Sequence, residues 1–507
     1  MFFVISLILS LANASSVDVR FDVSRPAPRT FNEGLLRGAI GSSHASTSLR
    51  ADWQEQLLHA HKRIGVQRVR FHGIFDDDMS VVLARGQYSF VNVFKAYDFL
   101  LANGIAPIVE LSFMPALFQS SNATIFHYQG GISPPRAIAD WTDLVTTFSS
   151  ALIHRYSLPV VSEWVFEVFN EPNCGFWTGN QTQYFAFYAA TAFAVKAASP
   201  KLKVGGPVTC QLAWLDDFCS FCEANNVPVD IVTSHLYPSD PQLPANKTAF
   251  ADAVNAASAT ARKYNLPFFL TEFNAGLDFD ANHQILDTSY AAAFVGLQLG
   301  LLDGSQAGIS YWCLSDIFEE QGQFPGEFGT TNPTPFGVVT VSGIAKPVFR
   351  AMELISKFVA GGKQPMWLAQ VTNPAGDDAL VDAWATKMAN GTHSTLAVFV
   401  TSFLPLAMRT SGTTLNQTVQ LTITAASAPR GVATRCLIDE NHSNPRAAWV
   451  KRGSPVYPSP ADYAAIAAAS VLQCSSVPSR WNPISRTLLV DLGVVSIDSF
   501  ASVQIDF

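Results

Sequence analysis

Trp164-Val165-Phe166-Glu167-Val168-Phe169-Asn170-Glu171-Pro172-Asn173 is the stretch that decides the fold. An apolar run closed abruptly by Asn, Glu and Pro reads as a short buried strand that ends in a turn. Pro267-Phe268-Phe269-Leu270-Thr271-Glu272-Phe273-Asn274 repeats the pattern a hundred residues on. Working outward, runs of the same kind stand at 36–41, 66–71, 106–111, 202–206, 230–235 and 309–314. With 164–169 and 268–272 these make eight strand candidates. Helical patterns lie between most of them, as at 53–64, 141–155, 184–198 and 248–264. Strand and helix in alternation predict α/β units on a parallel sheet, and eight such units predict a (β/α)8 TIM barrel over residues 31–358. Beyond it the texture changes to short alternating strands, for example at 395–400, 419–423 and 502–507, interrupted by one helical stretch at 460–471. Residues 359–507 therefore read as a β-sandwich. Residues 15–30 hold a further strand-like segment, expected to return and pair with that sandwich.

Of the 507 residues, 48% are hydrophobic and only 14% charged, which describes a large buried core and excludes a disordered chain. A net charge of −8 with no basic run argues against nucleic acid as a partner. Residues 1–14 carry a short apolar stretch and end in Ala12-Asn13-Ala14, the pattern of a cleaved secretory signal peptide. That stretch is too short for a membrane span. The expected location is outside the cell or in the lysosome or vacuole. Asn122, Asn180, Asn246, Asn390, Asn416 and Asn441 head Asn-x-Ser/Thr triplets and are candidate glycosylation sites. Of the seven cysteines, Cys436 and Cys474 are the first candidate pair for an oxidising compartment. Cys219 and Cys222 fall in a helical stretch at 214–223 without further metal ligands, so they read as structural thiols or disulfides. An odd count leaves at least one cysteine outside any internal pair.

The chemistry lies at the strand ends. Glu171 and Glu272 close the fourth and seventh strands, and the C-terminal mouth of a barrel is where such folds place their active sites. Two carboxylates facing each other there are what glycoside hydrolysis needs: one protonates the leaving oxygen and the other attacks the anomeric carbon, roughly 5–5.5 Å away in a retaining enzyme. Glu171 must then hold a proton near working pH, and the approach of anionic Glu272 is expected to raise its pKa. Asn170 would present an amide to a sugar hydroxyl. His72 and His235 end strands two and six, and Tyr237 and Trp312 are candidate pocket walls. Asp316, Glu319 and Glu320 follow strand eight, as sugar-hydroxyl contacts or as a solvated acidic loop.

At this point the chain resembles glycoside hydrolase family 39, the β-xylosidases and α-L-iduronidases. The resemblance rests on Val69-Arg70-Phe71-His72-Gly73 with Asp76-Asp77-Asp78-Met79, Val109-Glu110-Leu111-Ser112-Phe113-Met114-Pro115, Phe166–Asn173, Val204-Gly205-Gly206-Pro207, Ser234-His235-Leu236-Tyr237-Pro238, Leu270–Asn274 and Ser315-Asp316-Ile317-Phe318-Glu319-Glu320. It implies a retaining double displacement without metal or organic cofactor, with Glu171 as acid/base and Glu272 as nucleophile. It also implies substrate contacts from Asn170, His72, His235, Glu319 and Glu320.

The two family activities differ in substrate charge. An iduronate carboxylate calls for a cation. The iduronidases carry a lysine shortly after the strand-six histidine and an arginine beyond strand eight. Here His235 is followed by Leu236-Tyr237-Pro238, and Ser315 to Val341 contains no Arg or Lys. Residues 433–439 and 449–458 resemble the iduronidase sandwich, which speaks to ancestry of that domain and not to the pocket. The expectation is a terminal β-xyloside or related β-glycoside, with α-L-iduronidase as the alternative. A noncatalytic glycan-binding protein is a third reading, disfavoured because both glutamates are present.

Overall fold

The structure is a computed structural model that describes residues 15–277, 283–320, 326–329, 336–372, 380–390, 393–410 and 416–507. The expected signal peptide at 1–14 and the Asn390 side chain lie outside the described residues. Eight parallel strands close into a barrel: β1 Ala39–His44, β2 Arg68–His72, β3 Ala106–Leu111, β4 Val165–Val168, β5 Lys203–Thr209, β6 Ile231–His235, β7 Phe268–Phe273 and β8 Gly308–Tyr311. Each pairs with its sequence neighbour, and β8 closes on β1. The major outer helices are α1 Ala51–Ile64, α2 Val91–Ala102, α3 Ile138–Tyr156, α4 Gln181–Ala198, α5 Leu215–Asn225, α6 Ala249–Lys263, α7 Ser289–Leu301 and α8 Pro347–Val359. The first strand starts three residues later than its apolar run suggests. Gly34–Arg37 forms a helical turn instead, which buries Leu35 and Leu36.

Side chains alternate across each strand. In β2, Val69 and Phe71 take the outer face, where the Phe71 ring meets Trp53 of α1 at 5.6 Å between centroids. Inside the barrel, Ala39, Ile108, Val165, Ile231 and Phe269 form one apolar layer. Two residues further along β3 and β4 stand Glu110 and Glu167, both with no solvent exposure. The period of two that builds the apolar floor therefore also aims carboxylates at the layer above it.

The remaining strands form two sheets. A seven-stranded sheet contains Lys363–Leu368, Val381–Asn390, His393–Ser402, Thr434–Ile438, Gln473–Ser476 and Ser499–Asp506, with Arg29–Asn32 at its edge. A five-stranded sheet takes in the N-terminal strand Ser15–Asp22, which runs parallel to Asn416–Thr424. Helix α7 joins the barrel to the seven-stranded sheet. Nearly every residue along it is buried, and it is apolar on all sides, as a helix covered all round must be. A Cβ on Gly300 would come within 2.3 Å of Trp384, and one on Gly296 within 2.3 Å of Phe500, so glycine lets sheet and helix approach. The Trp384 indole N–H donates to the Gly296 carbonyl at 2.9 Å.

Cys436 and Cys474 form a disulfide between directly opposed residues of neighbouring strands. A second disulfide, Cys174–Cys210, was not foreseen. Cys219, Cys222 and Cys313 are buried free thiols. Asn122, Asn180, Asn246, Asn416 and Asn441 are exposed. No described helix is long and apolar enough to cross a membrane.

Candidate active site

The carboxylates of Glu171 and Glu272 meet at the C-terminal mouth. One oxygen of each, and a ring nitrogen of His235, all lie within 4.8 Å of one another. His235 Nδ1 is 2.8 Å from Glu171 Oε1 and 3.6 Å from Glu272 Oε2. Glu272 follows Thr271 on β7 and is 4% exposed. Glu171 lies just past β4, in a turn where Phe169 (φ 71°) and Glu171 (φ 36°) both adopt left-handed backbone. Such geometry costs about 1–3 kcal/mol per non-glycine residue and is retained only where its surroundings enforce it.

Beneath the pair sits a residue that the sequence reading quoted but assigned no role. Arg70 has no solvent exposure. It donates to Glu167 at 2.5 Å, Glu272 at 2.5 Å and Asn170 at 2.9 Å, and it pairs with Glu110 at 2.7 Å. Burial opposes its charge, but Glu110, Glu167 and Glu272 outweigh that and hold the guanidinium above its ordinary pKa. Because Asn170 Oδ1 accepts from Arg70, its Nδ2 is left for another acceptor. Glu272 receives Arg70 on Oε1 and the Tyr237 hydroxyl on Oε2 at 2.7 Å. Tyr237 is thus a fixed donor to Glu272 and more than a wall.

The neighbouring groups separate into charged and neutral ones. His72 Nδ1 is 2.9 Å from Glu110, and despite burial that carboxylate raises its pKa to about 9. Burial drives His235 the other way, to about 4, so its imidazole is neutral at pH 7. Glu171 is pushed up to about 7 by burial; the cations His72 and Arg70 hold it down and Glu110 adds to the rise. The elevation therefore comes mainly from burial, not from Glu272 as expected. Glu320 is pushed to about 8, again by burial, with Glu272 and Glu171 adding to it against His72. Its Oε1 is 3.9 Å from His72 Nε2 and has no hydrogen-bond partner among the described residues. The Trp312 ring lies 4.7 Å from the His72 ring, centroid to centroid, and is 3% exposed.

A further histidine went unnoticed in the sequence. His44, the last residue of β1, has Asp76, Asp78 and Glu319 each at 3.2 Å. Burial opposes protonation, but the three carboxylates raise its pKa to about 11. Glu319 thus belongs to an ionic cluster at the rim. His44, Asp76 and Asp78 also bring ligand atoms within 4.8 Å of one another, as a cation site would require. Asp316 corrects the expectation of a sugar contact. Its carboxylate is fully buried, accepts from the Gly337 N–H at 2.8 Å and pairs with Lys346 at 2.8 Å. Lys346 also pairs with Asp287 at 2.6 Å. Asp316 therefore anchors the segment leading into α8, and its position after a strand end could not distinguish an anchor from a ligand.

With this geometry in view, the sequence profile of "Glycosyl hydrolases family 39" matches residues 19–479. The chain belongs to glycosyl hydrolase family 39. It is an O-glycosyl hydrolase of the retaining kind. It is 34% identical over 437 residues to a β-xylosidase of Caldicellulosiruptor saccharolyticus, covering 82% of this chain and 84% of the relative. It is 24% identical over 459 residues to the α-L-iduronidase of Mus musculus, covering 80% and 68%. A family 39 β-xylosidase structure from Caulobacter crescentus superposes with TM-score 0.76 at 25% identity, covering 96% of this chain and 99% of that one.

Proposed function

We propose that the chain releases terminal β-linked xylose, or a closely related neutral sugar, with Glu171 as acid/base and Glu272 as nucleophile. The carrying observation is that Glu171 and Glu272 bring carboxylate oxygens within 4.8 Å of each other, an approach that suits the short carboxyl separation of a retaining enzyme better than the roughly 6.5–9.5 Å of an inverting one. Glu171, protonated below about pH 7, hands its proton to the glycosidic oxygen as Glu272 attacks C1. Once the glycosyl-enzyme has formed, the Glu272 charge is gone and Glu171, now anionic, deprotonates the incoming water. Arg70 and Tyr237 orient Glu272 throughout.

A neutral substrate fits the charges. Among the described residues, the buried cations Arg70 and Lys346 are both paired with carboxylates. Shortly after His235, where the iduronidases carry a lysine, this chain has Leu236 and Tyr237, and the Tyr237 hydroxyl serves Glu272. Three carboxylates surround Arg70, a poor setting for a fourth from substrate. Two disulfides and five exposed sequons support a route through the secretory pathway, to the outside or to a lysosome or vacuole.

The test is hydrolysis of an aryl β-D-xyloside beside an aryl α-L-iduronide, with wild type and Glu272→Ala. Wild type is expected to prefer the xyloside and the variant to lose it. Preference for the iduronide would overturn the substrate assignment, and equal turnover by the variant would overturn the mechanism.

A further inference from the structure

The turn that presents Glu171 is strained, and so is the loop beside it. At the end of β5 and in the loop after it, Val208 (φ 56°), Gln211 (φ 62°), Leu212 (φ 53°) and Trp214 (φ 62°) are left-handed as well. Neither loop has glycine at these positions, so each conformation must be held from outside. The ties run from one loop to the other. The Glu171 N–H donates to the Val208 carbonyl at 2.9 Å. The Asn173 amide binds Cys210 twice, accepting from its N–H at 3.0 Å and donating to its carbonyl at 3.1 Å. The Tyr184 hydroxyl, from α4, lies against the carbonyls of Val168 and Pro207 at 2.8 and 2.7 Å. The one covalent tie is the Cys174–Cys210 disulfide, three residues beyond Glu171, whose N–H donates back to the Glu171 carbonyl at 2.9 Å. The Glu171 carboxylate itself is steadied by His235.

We propose that the Cys174–Cys210 disulfide is a positioning element for the general acid, locking the two strained loops together so that Glu171 is held at the height of the glycosidic oxygen. This rests on Glu171 being the acid/base. The nucleophile does not share the dependence, because Glu272 is held by Arg70 and Tyr237 from β2 and the residues after β6. Opening the disulfide should therefore impair proton donation and spare nucleophilic attack. Misplacement of a reacting group by about 1 Å costs on the order of a hundredfold in rate, within the 10²–10⁴ that acid catalysis supplies.

The experiment compares kcat/KM, which reports formation of the glycosyl-enzyme, for 2,4-dinitrophenyl and phenyl β-D-xylosides. The first leaving group departs without a proton and the second needs one. For Cys174→Ser/Cys210→Ser, the phenyl substrate is expected to slow at least tenfold and the dinitrophenyl substrate less than twofold. Glu171→Ala serves as reference and is expected to show the same pattern, larger. No leaving-group dependence in Glu171→Ala would overturn the acid/base assignment. The dependence in Glu171→Ala but not in the double variant, or equal loss on both substrates in the double variant, would overturn the positioning role alone. A second measurement covers a double variant that fails to fold. Folded Cys436→Ser/Cys474→Ser protein, which keeps only the active-site disulfide, is reduced with dithiothreitol; each disulfide yields two thiols as the reagent closes to its cyclic disulfide. Mass mapping of alkylated Cys174 and Cys210 confirms opening. A selective fall on the phenyl substrate, restored on reoxidation, is the expected result, and unchanged ratios in the opened protein would refute the proposal.

Discussion

Replacing Arg70 with leucine tests whether the buried cation organises the barrel mouth. The guanidinium meets Glu110, Glu167 and Glu272 at 2.5–2.7 Å, and all four side chains are between 0 and 6% exposed. Removing one partner from a buried ion pair costs about 3–5 kcal/mol, because the remaining charge is left without compensation. Three stranded carboxylates put the loss at the upper end, softened as they take up protons. For a barrel of roughly 330 residues, an unfolding entropy of roughly 2.1 cal/mol/K per residue gives ~0.7 kcal/mol/K, so ~4 kcal/mol lowers Tm by about 6 °C. The pH dependence has a definite sign. Glu110 is held below its ordinary value in the native protein, against burial, by Arg70 and His72. Its contribution to stability is therefore present above the unfolded pKa and lost as pH falls through the folded one. Without Arg70, burial of Glu110 meets less opposition and its pKa rises, so the variant's deficit should be large at pH 8 and shrink toward pH 5. Calorimetry of both proteins across that range measures it. A Tm within about 1 °C of wild type at pH 8, or a deficit independent of pH, would refute the reasoning.

The alkaline limb of the pH profile gives a kinetic prediction: Glu171 works protonated, so kcat/KM for a phenyl β-xyloside should fall as pH rises through about 7, and a profile flat to pH 9 would contradict the role assigned to it. Tyr237→Phe removes the hydroxyl donated to Glu272, a charge-assisted bond worth ~1.5–3 kcal/mol, and should slow kcat/KM by about 10- to 100-fold with the fold intact by circular dichroism. Asp316→Asn should lower Tm by leaving Lys346 under-compensated while KM for the glycoside stays within about twofold; a KM effect without a Tm effect would restore Asp316 as a sugar contact. Gly300→Ala should destabilise by about 1–3 kcal/mol through its collision with Trp384, relieved in part by Trp384→Phe, as a double-mutant cycle by urea unfolding can measure.

The fold was legible because a parallel barrel strand is buried on both faces and reads as an unbroken apolar run, and eight such runs came at helix-spaced intervals. Boundaries were less legible. The run at 36–41 spans a helical turn and the start of β1, since Leu35 and Leu36 are as apolar as the strand that follows. Within the site, Glu171 and Glu272 stood out because each ends an apolar run. Arg70, Glu110 and Glu167 sit inside their strands, and a charge there reads as an interruption until the closed sheet shows that all three share the interior. The signal was present in β2, where Arg70 and His72 are two apart and so share a face. Disulfide pairing of Cys174 with Cys210 was beyond reach, since spacing alone permits many connectivities.

The interior charges also bear on substrate preference. Arg70 must remain paired with Glu110, Glu167 and Glu272 to keep the barrel mouth intact, so it cannot be lent to a substrate carboxylate without stranding a buried glutamate. His72 is likewise held by Glu110. A switch to anionic sugars would need a new cation supplied from the loops after β6 or β8, where this chain has Tyr237 and an acidic pair. Tyr237→Lys is therefore the informative substitution. It should cost the xyloside activity through loss of the Glu272 donor, and by itself gain little on an iduronide, because residues 315–341 still supply no arginine or lysine. Substantial iduronide turnover from that single change would show that one cation suffices.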